Sequence, residues 1–287
     1  MKLSAFEHFV HLQVEENTQD KTVVSFPAQE VTLNLGGTLH GGASMSIINM
    51  AARRALYPFV ADAADTIRTL DQSVRFTSTA RGEKIIARAV VLKKGKELAF
   101  VEVDVANDQG KQVSKGLVTL RFGASPAEAE EVAEVNAQGN TSPCLDVRSY
   151  YPEEWQPGPM AQWLAQRGFT ANLGLRIAHA HAGLSVVRLE PQAHVLNANG
   201  RIDDGAIATL CDSAGAMAAI SMNNDNMARG STPSLHINYY DAPKNETLVA
   251  LGTGRWRQQE SFLATVQVAG ESSGTVYADA QVLFRIV

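Results

Sequence analysis

Apolar and polar residues alternate along much of this chain, and the alternation comes in blocks. TLDQSVRFTS (69–78), EKIIARAVVLKKG (83–95), ELAFVEVDVANDQG (97–110) and KQVSKGLVTLRF (111–122) place similar side chains at every second position. A period of two, broken by Gly or by Asp-Gln-Gly, predicts strands joined by tight turns into an antiparallel meander. TVVSF (22–26) predicts an earlier strand, behind a short amphipathic opening. From Ala43 to Tyr57 the alternation stops. Small and apolar residues occupy nearly every face there and Pro58 ends the run, which predicts a buried helix. One such helix with four or five strands predicts a sheet wrapped around it. A polar residue inside that helix then needs a partner or a task.

The same order recurs further along. An offset of 163 residues relates His40 to Asp203, Asn49 to Asp212, Phe6 to Phe169, Leu12 to Leu175, Gly42 to Gly205, Thr69 to Thr232 and Leu120 to Leu283. Each match is weak alone. One register held without a gap from about residue 6 to residue 122 implies a duplicated unit. LSVVRLE (184–190) is the second early strand, and Ala206 to about Met222 is the second helix. The chain therefore divides into a first unit at 1–123, a linker at 124–165 and a second unit at 166–287. The linker begins acidic and Ala/Glu-rich, which suggests one exposed helix. It is then broken by Pro143, Pro152, Pro157 and Pro159, as expected of a surface tether with no chemistry.

Bulk properties narrow the class. Of 287 residues, 45% are hydrophobic and 19% charged, enough for a substantial core. A net charge of −5 supplies no basic field for nucleic acid. No run is long and apolar enough to span a membrane, and the polar N-terminal stretch lacks the apolar centre of a signal peptide, so the expected location is cytoplasmic. Cys144 and Cys211 make neither a disulfide framework nor a metal spacing. His179 and His181 alternate on a strand without a third ligand, so no metal is expected.

The two copies differ where the helix begins. The first reads LHGGASMS (39–46) and the second IDDGAIAT (202–209). A helix start offers free N–H groups and a positive dipole end, which suit a developing oxyanion. Gly41 is the expected donor, because a glycine lets a ligand approach the backbone. Asp212, a carboxylate in a helix of small apolar residues, is costly to bury without a task. It suits a general base on water or a nucleophile, and the sequence leaves both open. Asn49 at the equivalent position accepts no proton at neutral pH.

NLGGTLHGGASMSIINMA (34–51) and KKGKELAFVEVDVANDQGKQVSKG (93–116), with GAIATLCDSAGAMAA (205–219) and STPSLHINYYDAP (231–243), resemble the hotdog-fold acyl-CoA thioesterases of the phenylacetate-pathway and hydroxybenzoyl-CoA type. The resemblance implies an α+β fold of two hotdog units paired within the chain into one continuous sheet. It also implies active sites between the units, with an HGG loop and preceding Asn from one, and an acid and a strand hydroxyl from the other. Carried over, the first half-site is Asn34, His40, Gly41 and Gly42, and the second is Asp212 with Thr232. Their counterparts Asn197, Asp203, Asp204 and Gly205, with Asn49 and Thr69, would make a degraded second crevice. Asp203 and Asp204 are expected to stabilise a helix start and to repel CoA phosphates.

The implied activity is hydrolysis of an acyl-CoA to acid and CoA at one working site. No cofactor is implied. His40 is expected to hold the thioester or protonate the leaving thiolate, and equally to fix its loop. Thr232 would orient water, or else only begins a strand beside Pro233, and the basic hairpin of Lys93, Lys94 and Lys96 is a solvated turn or a contact for CoA phosphates. A homodimer or trimer of tandem chains is expected. A non-catalytic acyl-CoA-binding module is the alternative. Met45, Phe76, Met217 and Tyr239 are candidates for the acyl pocket.

Overall fold

A computed structural model describes residues 2–60, 66–82, 84–123, 144–223, 230–241 and 243–286. The exposed helix expected in the acidic part of the linker lies outside the described residues.

The first half contains α1 (Ala5–Phe9), β1 (Gln13–Asn17), β2 (Thr22–Pro27), α2 (Gly41–Leu56), β3 (Arg68–Phe76), β4 (Lys84–Lys94), β5 (Leu98–Asn107) and β6 (Gln112–Arg121). Two short helices, α3 (Met160–Leu164) and α4 (Gly168–Leu173), lead into the second half. There follow β7 (Leu175–His181), β8 (Leu184–Leu189), α5 (Asp204–Ser221), β9 (Gly230–Tyr239), β10 (Leu248–Gln258), β11 (Ser261–Gly270) and β12 (Val276–Ile286). Each half thus has six strands rather than four or five. β1 was missed because QVEEN, an exposed edge strand, has one apolar residue and no alternation to detect.

The twelve strands form one sheet in the order β1-β2-β4-β5-β6-β3-β9-β12-β11-β10-β8-β7, antiparallel throughout. At its centre β3 pairs with β9, and Ser73 faces His236. These two residues are themselves 163 apart, so the pseudo-twofold relating the halves passes through that pair. Gln72 facing Ile237 and Val74 facing Leu235 flank it symmetrically.

The sheet curls around two helices, as the alternation implied. All of α2 except Gly41 and Arg53 is buried, as is all of α5 except Asp204, Ala216 and Ile220. Tertiary enclosure rather than propensity keeps these segments helical, since α2 carries two glycines, two isoleucines, two serines and an asparagine among its alanines. At α2 the chain stops where Pro58 turns Tyr57–Phe59 into a 3-10 turn. Core side chains run continuously through both halves, from Phe6, Phe26 and Ile48 to Phe169, Leu210 and Val282. The helices also touch each other at their starts. Ser46 donates to the carbonyls of Gly42 at 2.7 Å and Gly205 at 3.2 Å, and Thr209, its counterpart, donates to Gly205 at 2.8 Å.

The described part of the connecting chain is more than a tether. Leu145 N–H bonds to the Gly274 carbonyl at 2.8 Å. Val147 and Tyr151 pack on Val186, Val249 and Leu251, covering the outer face of the second half. Gln156 then hydrogen-bonds to edge strand β7, accepting from Ala180 N–H at 2.7 Å and donating to His179 Nδ1 at 3.1 Å. His179 is therefore occupied as a structural acceptor.

Candidate active site

A cleft of about 1170 Å³ opens at one end of the β3–β9 seam. Its lining comes from the first half (Asn34, His40, Gly41, Phe76), from α5, β9 and β12 (Asp212, Met217, Thr232, Phe284), and from the connecting chain (Met160, Leu164, Arg167). Phe76 and Met217 line it, as the sequence suggested, but Met45 and Tyr239 do not. Met45 is fully buried under Gln72, and the Tyr239 hydroxyl donates to Gln72 Oε1 at 3.3 Å.

Asp212 is the one carboxylate among the described residues lining the cleft. It is 5% exposed, and both oxygens are held. Oδ1 accepts from the Thr232 hydroxyl at 2.8 Å, and Oδ2 accepts from the Gly42 N–H at 3.1 Å. The second bond reaches across from α5 to the start of α2. A buried anion thus sits at the positive end of another helix, with two donors in place of water.

His40 caps that helix. Its Nδ1 accepts the same Gly42 N–H at 2.9 Å and lies 3.4 Å from Asp212 Oδ2. Two acceptors sharing one N–H fit a neutral imidazole with its proton on Nε2. Burial pushes the His40 pKa down, and the Asp212 carboxylate only partly opposes this. The ring meets Phe169 edge-on at 5.6 Å. His40 thus fixes the start of α2 in this geometry, and its burial disfavours the charged imidazolium.

Gly42 is spent on these bonds, whereas no hydrogen bond to the Gly41 N–H is formed among the described residues. A Cβ on Gly41 would lie 2.5 Å from Asp212 Oδ2. A Cβ on Gly42 would lie 2.6 Å from the Thr209 Cα. The first glycine gives the carboxylate its space, and the second lets the two helices meet. Asn34 fixes the loop before them. Its Oδ1 accepts from Thr38 N–H at 3.1 Å and its Nδ2 donates to the Thr38 hydroxyl at 2.8 Å.

Asn34, His40, Gly41, Gly42, Asp212 and Thr232 are thus brought together. Lys93, Lys94 and Lys96 are not. Their hairpin ends where Lys94 pairs with Ala99 and Ala99 with Leu120, beside Thr69. The cleft lies at the other end of these strands, where Phe76 pairs with Ser114. An antiparallel hairpin carries its turn away from its open end, which the sequence motif alone does not reveal. Lys94 instead lies over the Phe122 ring, 4.8 Å from its centroid. The cations at the cleft are Arg81 and Arg167, neither marked by any motif. Ser44, hydrogen-bonded to Ser114 at 2.6 Å, is a further lining residue that sequence patterns do not flag.

The other end of the seam is wired in reverse. Asn49 Nδ2 donates to the Thr69 hydroxyl at 2.9 Å, and Thr69 donates to Asp204 Oδ2 at 2.6 Å. Asp204 stands where the first half has Gly41, so the carboxylate comes from the first residue of α5 and the amide from the middle of α2. Arg53 Nη1 lies 3.9 Å from the same Asp204 oxygen. Asp203 caps α5 by accepting from Gly205 N–H at 2.9 Å, and burial pushes its pKa up to about 7 against the pull of Arg53.

Comparison with known proteins agrees with this architecture. The thioesterase superfamily profile matches residues 36–114. Acyl-coenzyme A thioesterase 13 of Mus musculus is 32% identical over 106 residues, which span 36% of this chain and 74% of that protein. The Homo sapiens protein of that name is 33% identical over 105 residues, with the same coverage. Among solved structures, a hot dog fold protein of unknown function from Alicyclobacillus acidocaldarius superposes with a TM-score of 0.65 at 14% identity, covering 100% of this chain and 99% of that one. The tesB protein of Mycobacterium avium subs paratuberculosis gives 0.65 at 12% identity, covering 96% of each chain. With its double hotdog architecture and these relatives, the chain belongs to the thioesterase superfamily.

Proposed function

We propose that this protein hydrolyses acyl-CoA thioesters to the free acid and CoA at a single composite site, formed where the start of α2 meets α5. The observation that carries the proposal is the Asp212 carboxylate, buried in the cleft and held by Gly42 N–H and Thr232. Asp212 accepts a proton from a water molecule as that water adds to the thioester carbonyl. Thr232, anchored on the same carboxylate, orients the water. The carbonyl oxygen gains the charge and takes the unoccupied N–H of Gly41 at the positive end of α2. The tetrahedral intermediate then collapses, breaking the carbon–sulfur bond and expelling CoA thiolate, which takes up the proton held by Asp212 and so restores the carboxylate. Lys93, Lys94 and Lys96 have no part in this scheme; Arg81 and Arg167 supply the positive charge that faces the CoA phosphates.

The opposite end of the seam is inactive, because an amide stands at Asn49 and Asp204 takes the space of Gly41. Thiol release from a panel of acyl-CoAs tests both statements. Asp212→Asn is expected to lose about 10²-fold or more in kcat/KM, the usual scale of a general base. Asn49→Ala is expected to retain turnover. Equal losses at the two positions would refute the single-site scheme, and tight acyl-CoA binding without turnover would leave a binding module.

A further inference from the structure

The wall of the cleft contributed by the connecting chain belongs to neither half. α3 presents Met160 and Leu164 to the cavity, four residues apart and therefore on one helix face. To the same cavity α5 presents Met217 and Ile220, three residues apart and again on one helix face. Phe76, Val113 and Phe284 complete this apolar sector. The lining's two guanidinium groups come from Arg81 and Arg167, so the cleft carries both an oily and a cationic surface. An acyl-CoA divides the same way, and its hydrocarbon gains most against the oily part.

α3 is held at both ends. Before it, Gln156 exchanges hydrogen bonds with His179 and Ala180 on β7. After it, the Thr170 hydroxyl donates to the Leu164 carbonyl at 3.3 Å. Between these anchors Gly158 takes a φ of +72°, with the position of its would-be Cβ 3.1 Å from the Ala180 carbonyl, so the chain turns tightly against the edge strand before α3 begins. A segment fixed in this way is a wall of set position and not a loose strand over the opening.

We infer that Met160 and Leu164 determine how long an acyl group the cleft admits, making the connecting chain a specificity element. This rests on the hydrolytic role proposed for Asp212. Truncating Leu164 to Ala vacates about the volume of three methylenes. Each buried methylene is worth roughly a fourfold preference, so the ratio of long-chain to short-chain kcat/KM rises by up to roughly 60-fold. Leu164→Trp moves the ratio the other way.

The test is a straight-chain series from butanoyl- to palmitoyl-CoA, assayed by thiol release with the full chain, Met160→Ala, Leu164→Ala, Leu164→Trp and Asp212→Asn. Opposite shifts of the preferred length in the Ala and Trp variants support the inference. The ratio between two substrates is unaffected by the fraction of folded enzyme, so partial misfolding of a variant does not mimic the result. An unchanged length profile, with Asp212→Asn silent, overturns the role of α3 and leaves the hydrolytic site standing. Full activity of Asp212→Asn, or none in the unaltered chain, overturns the site and the inference with it.

Discussion

Gly41→Ala adds one methyl group and removes no chemical function. That methyl would sit 2.5 Å from Asp212 Oδ2 and 3.1 Å from its Cγ. Ordinary contact begins near 3.4 Å, so the carboxylate has to retreat by about 0.9 Å. Its bond from Gly42 N–H, already 3.1 Å long, cannot survive such a movement, and the Thr232 hydroxyl is drawn out of place with it. A misplacement on the order of 1 Å costs about 10²-fold in rate, or roughly 2.7 kcal/mol. The fold is expected to be spared, because Ala is the better helix former by about 0.5–1 kcal/mol. Steady-state thiol release gives kcat/KM, and a thermal melt followed by circular dichroism reports the folded state. The double variant Gly41→Ala/Asp212→Asn should be no worse than Asp212→Asn, since both act through one carboxylate. A Gly41→Ala enzyme within threefold of the unaltered protein would show that the position of Asp212 does not govern the reaction.

Other outcomes follow from the same geometry. Gly42→Ala should reverse the pattern: its Cβ meets the Thr209 backbone at 2.6 Å, so the helices must part at a cost of about 1–3 kcal/mol, and a melting midpoint that does not fall would contradict the close crossing. Asp203 should make stability depend on pH. Its pKa rises from 3.8 in the unfolded chain to about 7 in the fold, so its proton favours the fold, and stability declines as pH climbs between those values. The decline is at most about 4 kcal/mol. Asp203→Asn keeps the helix cap and should flatten that slope, which urea melts across this range measure directly. A slope unchanged by the substitution would assign the dependence elsewhere.

The fold was legible because its strands are half-buried, and alternation records exactly one buried face. The helices were legible for the opposite reason, as runs with no polar face. The fixed offset between the copies placed both, and the resemblance to hotdog-fold thioesterases picked out the six residues that meet at the cleft. What escaped had no such record. β1 is solvated on its exposed edge and so lacks a pattern. Lys93, Lys94 and Lys96 look suited to phosphates, but their distance from the cleft depends on strand direction across the sheet. Met160 and Leu164 resemble residues of any linker, and only the path of the chain over β7 brings them to the cavity. The sequence suggests for Asp204 only the stabilising of a helix start and the repulsion of CoA phosphates. Its engagement with Thr69 and Arg53 depends on how closely the two helix starts approach.

The reversed wiring at the far end of the seam makes its own undoing difficult. Restoring an aspartate at residue 49 while Asp204 remains would force two carboxylates to compete for the hydroxyl of Thr69. Removing the side chain of Asp204 first would strip Arg53 of a counterion and bring no benefit. Neither single step is favourable, so no one substitution turns this end of the seam into a second copy of the cleft at the other.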